Sequence, residues 1–262
     1  MSAVALHHEE AGPPGAPTLL LAPSLGTTLE LWDPLLPALA RAHRVIRIDA
    51  RGHGRSPVPP GPYDIADLGA DALALLDRLE IARAAFCGIS LGAMTGLWLA
   101  AEAPERIERL VACCTSAHLP PPSAWEQRAG SVRAAGSTAP IADAVLARWL
   151  TPAFAASDAG APVLARLRAM LLASPADGYA ACCEAVARLD LRAQLPAIAA
   201  PTLVVTGAQD EATPPVHGEA IAAAIPGARL ARLDPAAHLA CAERPEALAA
   251  LILDHLAPAE EP

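Results

Sequence analysis

The sequence contains neither lysine nor asparagine, so all 19 of its basic side chains are arginines. This excludes a Schiff-base lysine, a phosphate-loop lysine and an N-glycosylation site. No window approaches the roughly eighteen apolar residues of a membrane span without a charge or proline breaking it. Met1 to Glu10 holds no basic run leading into an apolar stretch, so a secretion signal is not expected and a cytoplasmic location is. Positive charge is also in deficit: 28 acidic side chains against 19 basic ones leave a net charge of −9. Such a chain repels phosphate backbones and anionic headgroups, and neither nucleic acid nor membrane is an expected partner. Of the six cysteines, Cys113–Cys114 and Cys182–Cys183 are adjacent pairs and Cys87 and Cys241 stand alone. None has zinc-site spacing, so reduced, buried thiols are expected, with no metal and no cofactor.

What is present is a chain of 262 residues, 53% of them hydrophobic. That length suits one large domain, or one domain with an insertion, and a core that needs no covalent staple. Short β-rich runs alternate with longer helical patterns, the arrangement of βα units around a mostly parallel sheet. Strands are expected at Thr18 to Leu21, Val45 to Asp49, Ala85 to Cys87, Leu110 to Cys113, Leu203 to Thr206 and Arg229 to Leu233, with an edge strand near Ala3 to His7. Ile65, Leu68, Ala72, Leu75, Leu76 and Leu79 recur at helical spacing, leaving Asp67, Asp71, Asp77 and Arg78 for the opposite face. Leu91 to Ala103 is apolar nearly all round, as a central helix would be, and Pro245 opens a last helix running to Leu256. Between 118 and 190 the alternation gives way to helical patterns separated by prolines. The expected organisation is therefore a core domain of residues 1–117 and 191–262 with a helical cap insertion at 118–190.

Gly88-Ile89-Ser90-Leu91-Gly92 matches the G-x-S-x-G pattern and falls between an expected strand and an expected helix. At such a turn the serine is strained with its hydroxyl exposed, and the flanking glycines make room for the neighbouring backbone. The plainer reading is a turn serine capping the helix. A serine hydroxyl needs a base and an orienting carboxylate to become a nucleophile. Asp210 follows one later strand and His238 another. Parallel strands bring such loops to one edge of the sheet, so Ser90, His238 and Asp210 are assigned as nucleophile, base and orienting acid. Glu211 and Asp234 compete for the acid role. His7, His8, His43, His217 and His255 are expected to face solvent. The backbone N–H groups of Leu91 and of Leu25, in the loop after the first parallel strand, are candidates for the oxyanion hole. Asp49 to Ser56 reads as a structural, glycine-bearing turn with buried arginine contacts.

Through the Asp49 to Ser56 turn, the Ser90 elbow and the Asp210 and His238 loops, the chain resembles the α/β-hydrolase family along nearly its whole length. Within it, Ser24-Leu25-Gly26-Thr27, Leu31-Trp32-Asp33-Pro34, Gly92-Ala93-Met94, Cys114-Thr115-Ser116-Ala117 and Trp125 with Arg128 look most like the 3-oxoadipate enol-lactonases of bacterial aromatic degradation, the β-ketoadipate pathway. Ala93 replaces a common second glycine, and a Ser-Asn pair is missing after His238. The resemblance implies the α/β-hydrolase fold and a serine esterase that opens a small lactone bearing a free carboxylate. That carboxylate needs a local cation: Arg128 and Arg133 are the candidates, with Trp125 walling the ring. Another esterase or acyltransferase on the same fold, or a non-catalytic ligand receptor, are the alternatives. Self-association is left open.

Overall fold

The computed structural model describes residues 2–257. Seven strands form one sheet in the order β1-β3-β2-β4-β5-β6-β7. They are β1 (His8–Ala11), β2 (Thr18–Ala22), β3 (Arg44–Ile48), β4 (Ala84–Ile89), β5 (Ile107–Cys113), β6 (Thr202–Gly207) and β7 (Arg229–Leu233). Only β1 is antiparallel to its neighbour. Every residue of β4 and β6 is buried, which is why these segments read as continuous apolar runs rather than alternating ones. The strand order reverses around β2, and Ala22 at its end pairs with Gly88 of β4. The loops leaving these two strands therefore meet at a topological switch point, where open α/β sheets place their sites.

The edge strand lies later than expected. Residues 3–7 contribute a buried Leu6, and the Val4 amide donates to Asp71 at 2.7 Å, but the ladder with β3 is made by His8 to Ala11. The alternation of Val4 and Leu6 marks contact with the core, while the edge itself carries charge. Glu10 pairs with Arg44 at 2.7 Å and Glu9 with Arg47 at 2.8 Å, an arrangement that discourages edge-to-edge pairing.

The helix Ile65–Arg78 is entered through a capping box in which Asp64 accepts from Ala66 N–H and Asp67 reaches back to the Asp64 amide. Its apolar stripe of Leu68, Ala72, Leu75 and Leu76 is buried as expected, but Asp71 is not on the outer face. Arg51 donates to Asp71 through Nε at 2.6 Å and Nη2 at 2.7 Å, and neither side chain is more than 1% exposed. The histidines depart likewise. His43 and His255 are buried, His255 facing the Pro201 carbonyl at 3.1 Å through Nε2, and His217 is half-buried with Nδ1 2.7 Å from Ser116 Oγ. His255 and His217 turn inward onto a carbonyl and a hydroxyl, which periodicity does not report, whereas His43 Nδ1 is buried without a hydrogen-bond partner among the described residues.

Between 118 and 190 lie the helices Pro122–Ala135, Ala142–Leu146, Pro152–Ala155, Gly160–Ala173 and Ala176–Arg188. An antiparallel bridge joins His118 to Asp190, and the Leu191 amide donates to the Ala117 carbonyl at 2.9 Å. The segment thus leaves and rejoins the sheet domain at one place. All six cysteines are buried and unpaired. Among the described residues no helix is long and apolar enough to cross a membrane, and no group of three metal-ligating side chains occurs.

Removing one member of a buried ion pair strands the other charge. Asp71→Ala is expected to lower unfolding stability by about 3–5 kcal/mol, and the Arg51→Met/Asp71→Leu double variant to recover most of it. Urea melts check this; equal losses in single and double variants would contradict it.

Candidate active site

Ser90 joins β4 to the helix Leu91–Glu102 with φ 54° and ψ −115°, a conformation that non-glycine residues seldom hold. Its amide donates to the Cys113 carbonyl at 3.0 Å, and the Gly92 amide to the Pro23 carbonyl at 3.1 Å. A Cβ on Gly88 would stand 2.3 Å from the Gly92 carbonyl carbon, and one on Gly92 2.3 Å from the Ala22 carbonyl oxygen. Both glycines are thus required by backbone running past backbone. The serine is half-buried and lines a cavity with Leu25, Trp125, Arg128, Tyr179 and His238.

His238 reaches this cavity from the loop after β7, and Asp210, in the loop after β6, stands behind it. His238 Nδ1 lies 2.9 Å from Asp210 Oδ2, and both residues are buried. Asp210 is saturated with donors. Its Oδ1 accepts from the Ala212 and Thr213 amides at 2.8 and 2.9 Å, and its Oδ2 from Thr213 Oγ1 at 2.8 Å. Burial works to raise its pKa, but the charge and hydrogen bond of His238 and the Thr213 donors outweigh it, holding the carboxyl below its ordinary value. Glu211 and Asp234 are exposed, and neither bonds to His238. The relay is not closed at its other end: Ser90 Oγ makes no hydrogen bond to His238 among the described residues, although both line the cavity. Such bonds are often long before substrate is bound.

The loop after β2 is a turn in which the Thr27 amide donates to the Ser24 carbonyl at 3.1 Å and Gly26 takes φ 80°. A left-handed third residue makes it a type II turn. The amides of Leu25 within it and of Leu91 at the first position of the helix have no acceptor among the described residues.

The two arginine candidates separate. Arg128 is half-buried, its guanidinium carbon 4.6 Å from the Trp125 ring centroid, and it lines the cavity with Ser90. Arg133 is held by both oxygens of Glu184 and opens onto a different cavity beside Pro59, Pro60 and Pro62. Five residues after Arg128 on the same helix, it is already paired with an acid and does not line the Ser90 cavity, so the substrate carboxylate has no partner in it. In its place Arg148 lines the Ser90 cavity. Burial and the nearby Arg128 charge both lower its pKa, and no carboxylate bonds to either arginine among the described residues. Tyr179 completes that wall, its phenol pushed well up by burial. Nothing in the letters around Arg148 marks it as inward-facing. Thr213 was missed in the sequence; its place three residues after Asp210, where an aspartate turn draws a hydroxyl partner, is the signal that could have found it.

A family model described as alpha/beta hydrolase fold matches residues 17–245. The chain belongs to that family and is, as a class, a carboxylic ester hydrolase. It is similar to 3-oxoadipate enol-lactonase 2 of Acinetobacter baylyi, with 41% identity over 93% of this chain and 90% of that protein. It is also similar to the solved enol-lactonase of Burkholderia xenovorans LB400, with TM-score 0.93 and 43% identity over 97% of this chain and 96% of that one. A Stutzerimonas stutzeri protein, provisionally named carbamate hydrolase RutD, is 33% identical over 96% of this chain and 97% of its own length.

Because the folded chain depresses the Asp210 pKa, the stability this carboxylate contributes is present above its unfolded value of about 4 and is lost as pH falls through the lower folded value. The stability gap between wild type and Asp210→Asn is therefore expected to be wide at neutral pH and to narrow towards about pH 2. Urea midpoints at the two pH values test it; a gap independent of pH would count against the assignment.

Proposed function

We propose that the protein opens the ring of 3-oxoadipate enol-lactone to give 3-oxoadipate, in the cytoplasm, as a step of bacterial aromatic degradation. Ser90 is the nucleophile, His238 its base and Asp210 the acid that fixes the imidazole by taking its Nδ1 proton in a hydrogen bond, leaving Nε2 for the serine. Substrate brings Ser90 Oγ and His238 Nε2 into contact, and Oγ attacks the lactone carbonyl as its proton passes to Nε2. The oxyanion is received by the Leu25 and Leu91 amides, which have no acceptor among the described residues, and by the positive end of the helix that begins at Leu91. The ring C–O bond then breaks, leaving an acyl-serine with the enol oxygen on the same acyl chain. An enol is a better leaving group than an alkoxide, so bond breaking leans less on proton donation from His238; the released enolate then takes the proton from Nε2 and tautomerises to the ketone, which returns His238 to its neutral, basic form. Water, deprotonated by His238, attacks the ester carbonyl and frees the second carboxylate and Ser90.

The observation that carries the choice of substrate is the pair of arginines, 128 and 148, that line the serine's cavity with no carboxylate ion-paired to either among the described residues. In a chain of net charge −9 a bare cation pair beside a nucleophile selects an anionic substrate. A free carboxylate on the lactone meets that demand; a neutral ester or carbamate does not. The names of the Acinetobacter and Burkholderia relatives support the same reading. Trp125, stacked under Arg128, walls the ring.

Loss of the enol-lactone's ultraviolet absorbance with purified protein, beside neutral p-nitrophenyl esters and carbamates, tests the assignment; preference for the neutral substrates would overturn it. Ser90→Ala is expected to lower kcat by about 10⁴-fold or more. Arg128→Ala and Arg148→Ala should each raise KM for the carboxylated lactone by about tenfold or more and leave p-nitrophenyl acetate hydrolysis within about twofold. Equal effects on both substrates would remove their assigned role.

A further inference from the structure

His53 lies in the Asp49 to Ser56 turn, a segment whose sequence reads as scaffold. The structure buries it, at 1% exposure, and gives each ring nitrogen a different kind of partner. The Gly26 amide donates to Nε2 at 3.0 Å, and Nδ1 faces the Arg51 carbonyl at 3.3 Å. An amide can only donate and a carbonyl can only accept, so the proton sits on Nδ1 and Nε2 presents its lone pair to Gly26. A charged imidazole would have a donor at both positions and could not accept from the glycine. Burial keeps the ring neutral, pushing its pKa down to about 4.

The Gly26 amide belongs to the central peptide of the type II turn Ser24 to Thr27, and that peptide is the one whose reversal converts the turn to another type. Leu25 N–H, the donor aimed at the cavity, is the next peptide along. The same segment anchors the far end of the loop, for Asp49 Oδ1 accepts from the Leu29 amide at 2.8 Å and Oδ2 from the Arg55 amide at 2.9 Å. The ring itself is covered by Tyr179 from the helix Ala176–Arg188, with centroids 6.3 Å apart.

We propose that His53 is a positioning residue for ester hydrolysis: by accepting the Gly26 amide it fixes the turn that aims the Leu25 N–H at the oxyanion. This rests on the assignment of the Leu25 and Leu91 amides given above. It does not touch substrate. Its contribution is to hold a donor in place before the charge appears, which is where an oxyanion hole gains over water.

The test uses p-nitrophenyl acetate, so that it does not depend on the lactone being the natural substrate, and phenylboronic acid, which forms a tetrahedral adduct on the serine. His53→Met and His53→Gln have similar bulk, but only glutamine offers an oxygen acceptor to Gly26. Loss of one oxyanion donor costs about 10²-fold, so His53→Met should lower kcat by that order, with KM within about threefold, and weaken boronate binding by the same factor as kcat/KM. His53→Gln should recover to within about tenfold of wild type. A purely structural role would not make ester turnover and adduct binding fall together at constant KM. A methionine variant with wild-type kcat, or equal losses in both variants, would overturn the proposal. So would, in the unaltered protein carrying ¹⁵N-histidine, a nitrogen spectrum placing the His53 proton on Nε2; this reading needs no variant to fold. If wild type neither hydrolyses the ester nor binds boronate, the oxyanion assignment itself falls and takes this one with it, whereas an active wild type with an indifferent His53 sinks only the latter.

Discussion

The approach of the Leu91–Glu102 helix to the end of β2 is the constraint on which the rest depends. Backbone meets backbone there with no side chain between, Gly92 against the Ala22 carbonyl and its amide bonded to Pro23. Because the helix start and the β2 loop are in contact, Leu25 of that loop lines the same cavity as Ser90, and Ser90, held in its left-handed conformation, is followed at once by Leu91. The strain stored at one residue is borne by a strand and a helix that are both almost entirely buried. A looser junction would relax the serine and separate the two donors in one movement.

Charge is distributed to the same end. Most arginines of this acidic chain are matched by a carboxylate: Arg47 by Glu9 and Asp33, Arg51 by Asp71, Arg106 by Asp77, Arg133 by Glu184 and Arg192 by Asp190. Against that background the Arg128–Arg148 pair in the Ser90 cavity is notable, since burial and the Arg128 charge together lower the Arg148 pKa. An arriving anion relieves that repulsion, so binding energy is stored in the unliganded site and released to a substrate of one sign.

The parallel strands, the amphipathic Ile65–Arg78 helix and the Gly88 to Gly92 turn were legible because their signals are local: an apolar run, a repeat of three and four, a pentapeptide at a strand end. Asp210 and His238 were legible by their place after later strands, since topology brings all such loops to one edge. What was not legible depends on which way a side chain turns once the fold is made. Arg128 and Arg133 are indistinguishable in the letters, and only packing shows that Glu184 claims one of them. Asp71 looks like a surface acid until Arg51 arrives from 20 residues away. Arg148 lies in an irregular stretch between short helices where no period applies. His53 was read as scaffold because its partner, Gly26, is 27 positions distant.

The bridge between His118 and Asp190 has an evolutionary consequence. A chain excursion that departs and returns through neighbouring backbone positions imposes little on the sheet beneath it, and doubling its length adds only about 0.6 kcal/mol of closure entropy. Helices in that excursion can be lengthened, exchanged or lost while the nucleophile, its relay and the strand ladder keep their register. Trp125, Arg128, Arg148 and Tyr179 all ride on it, whereas the bond-breaking groups do not. If the proposed roles hold, substrate preference and chemistry are written on separately replaceable parts of one polypeptide, and a lineage can change what it accepts without relearning how to cleave it.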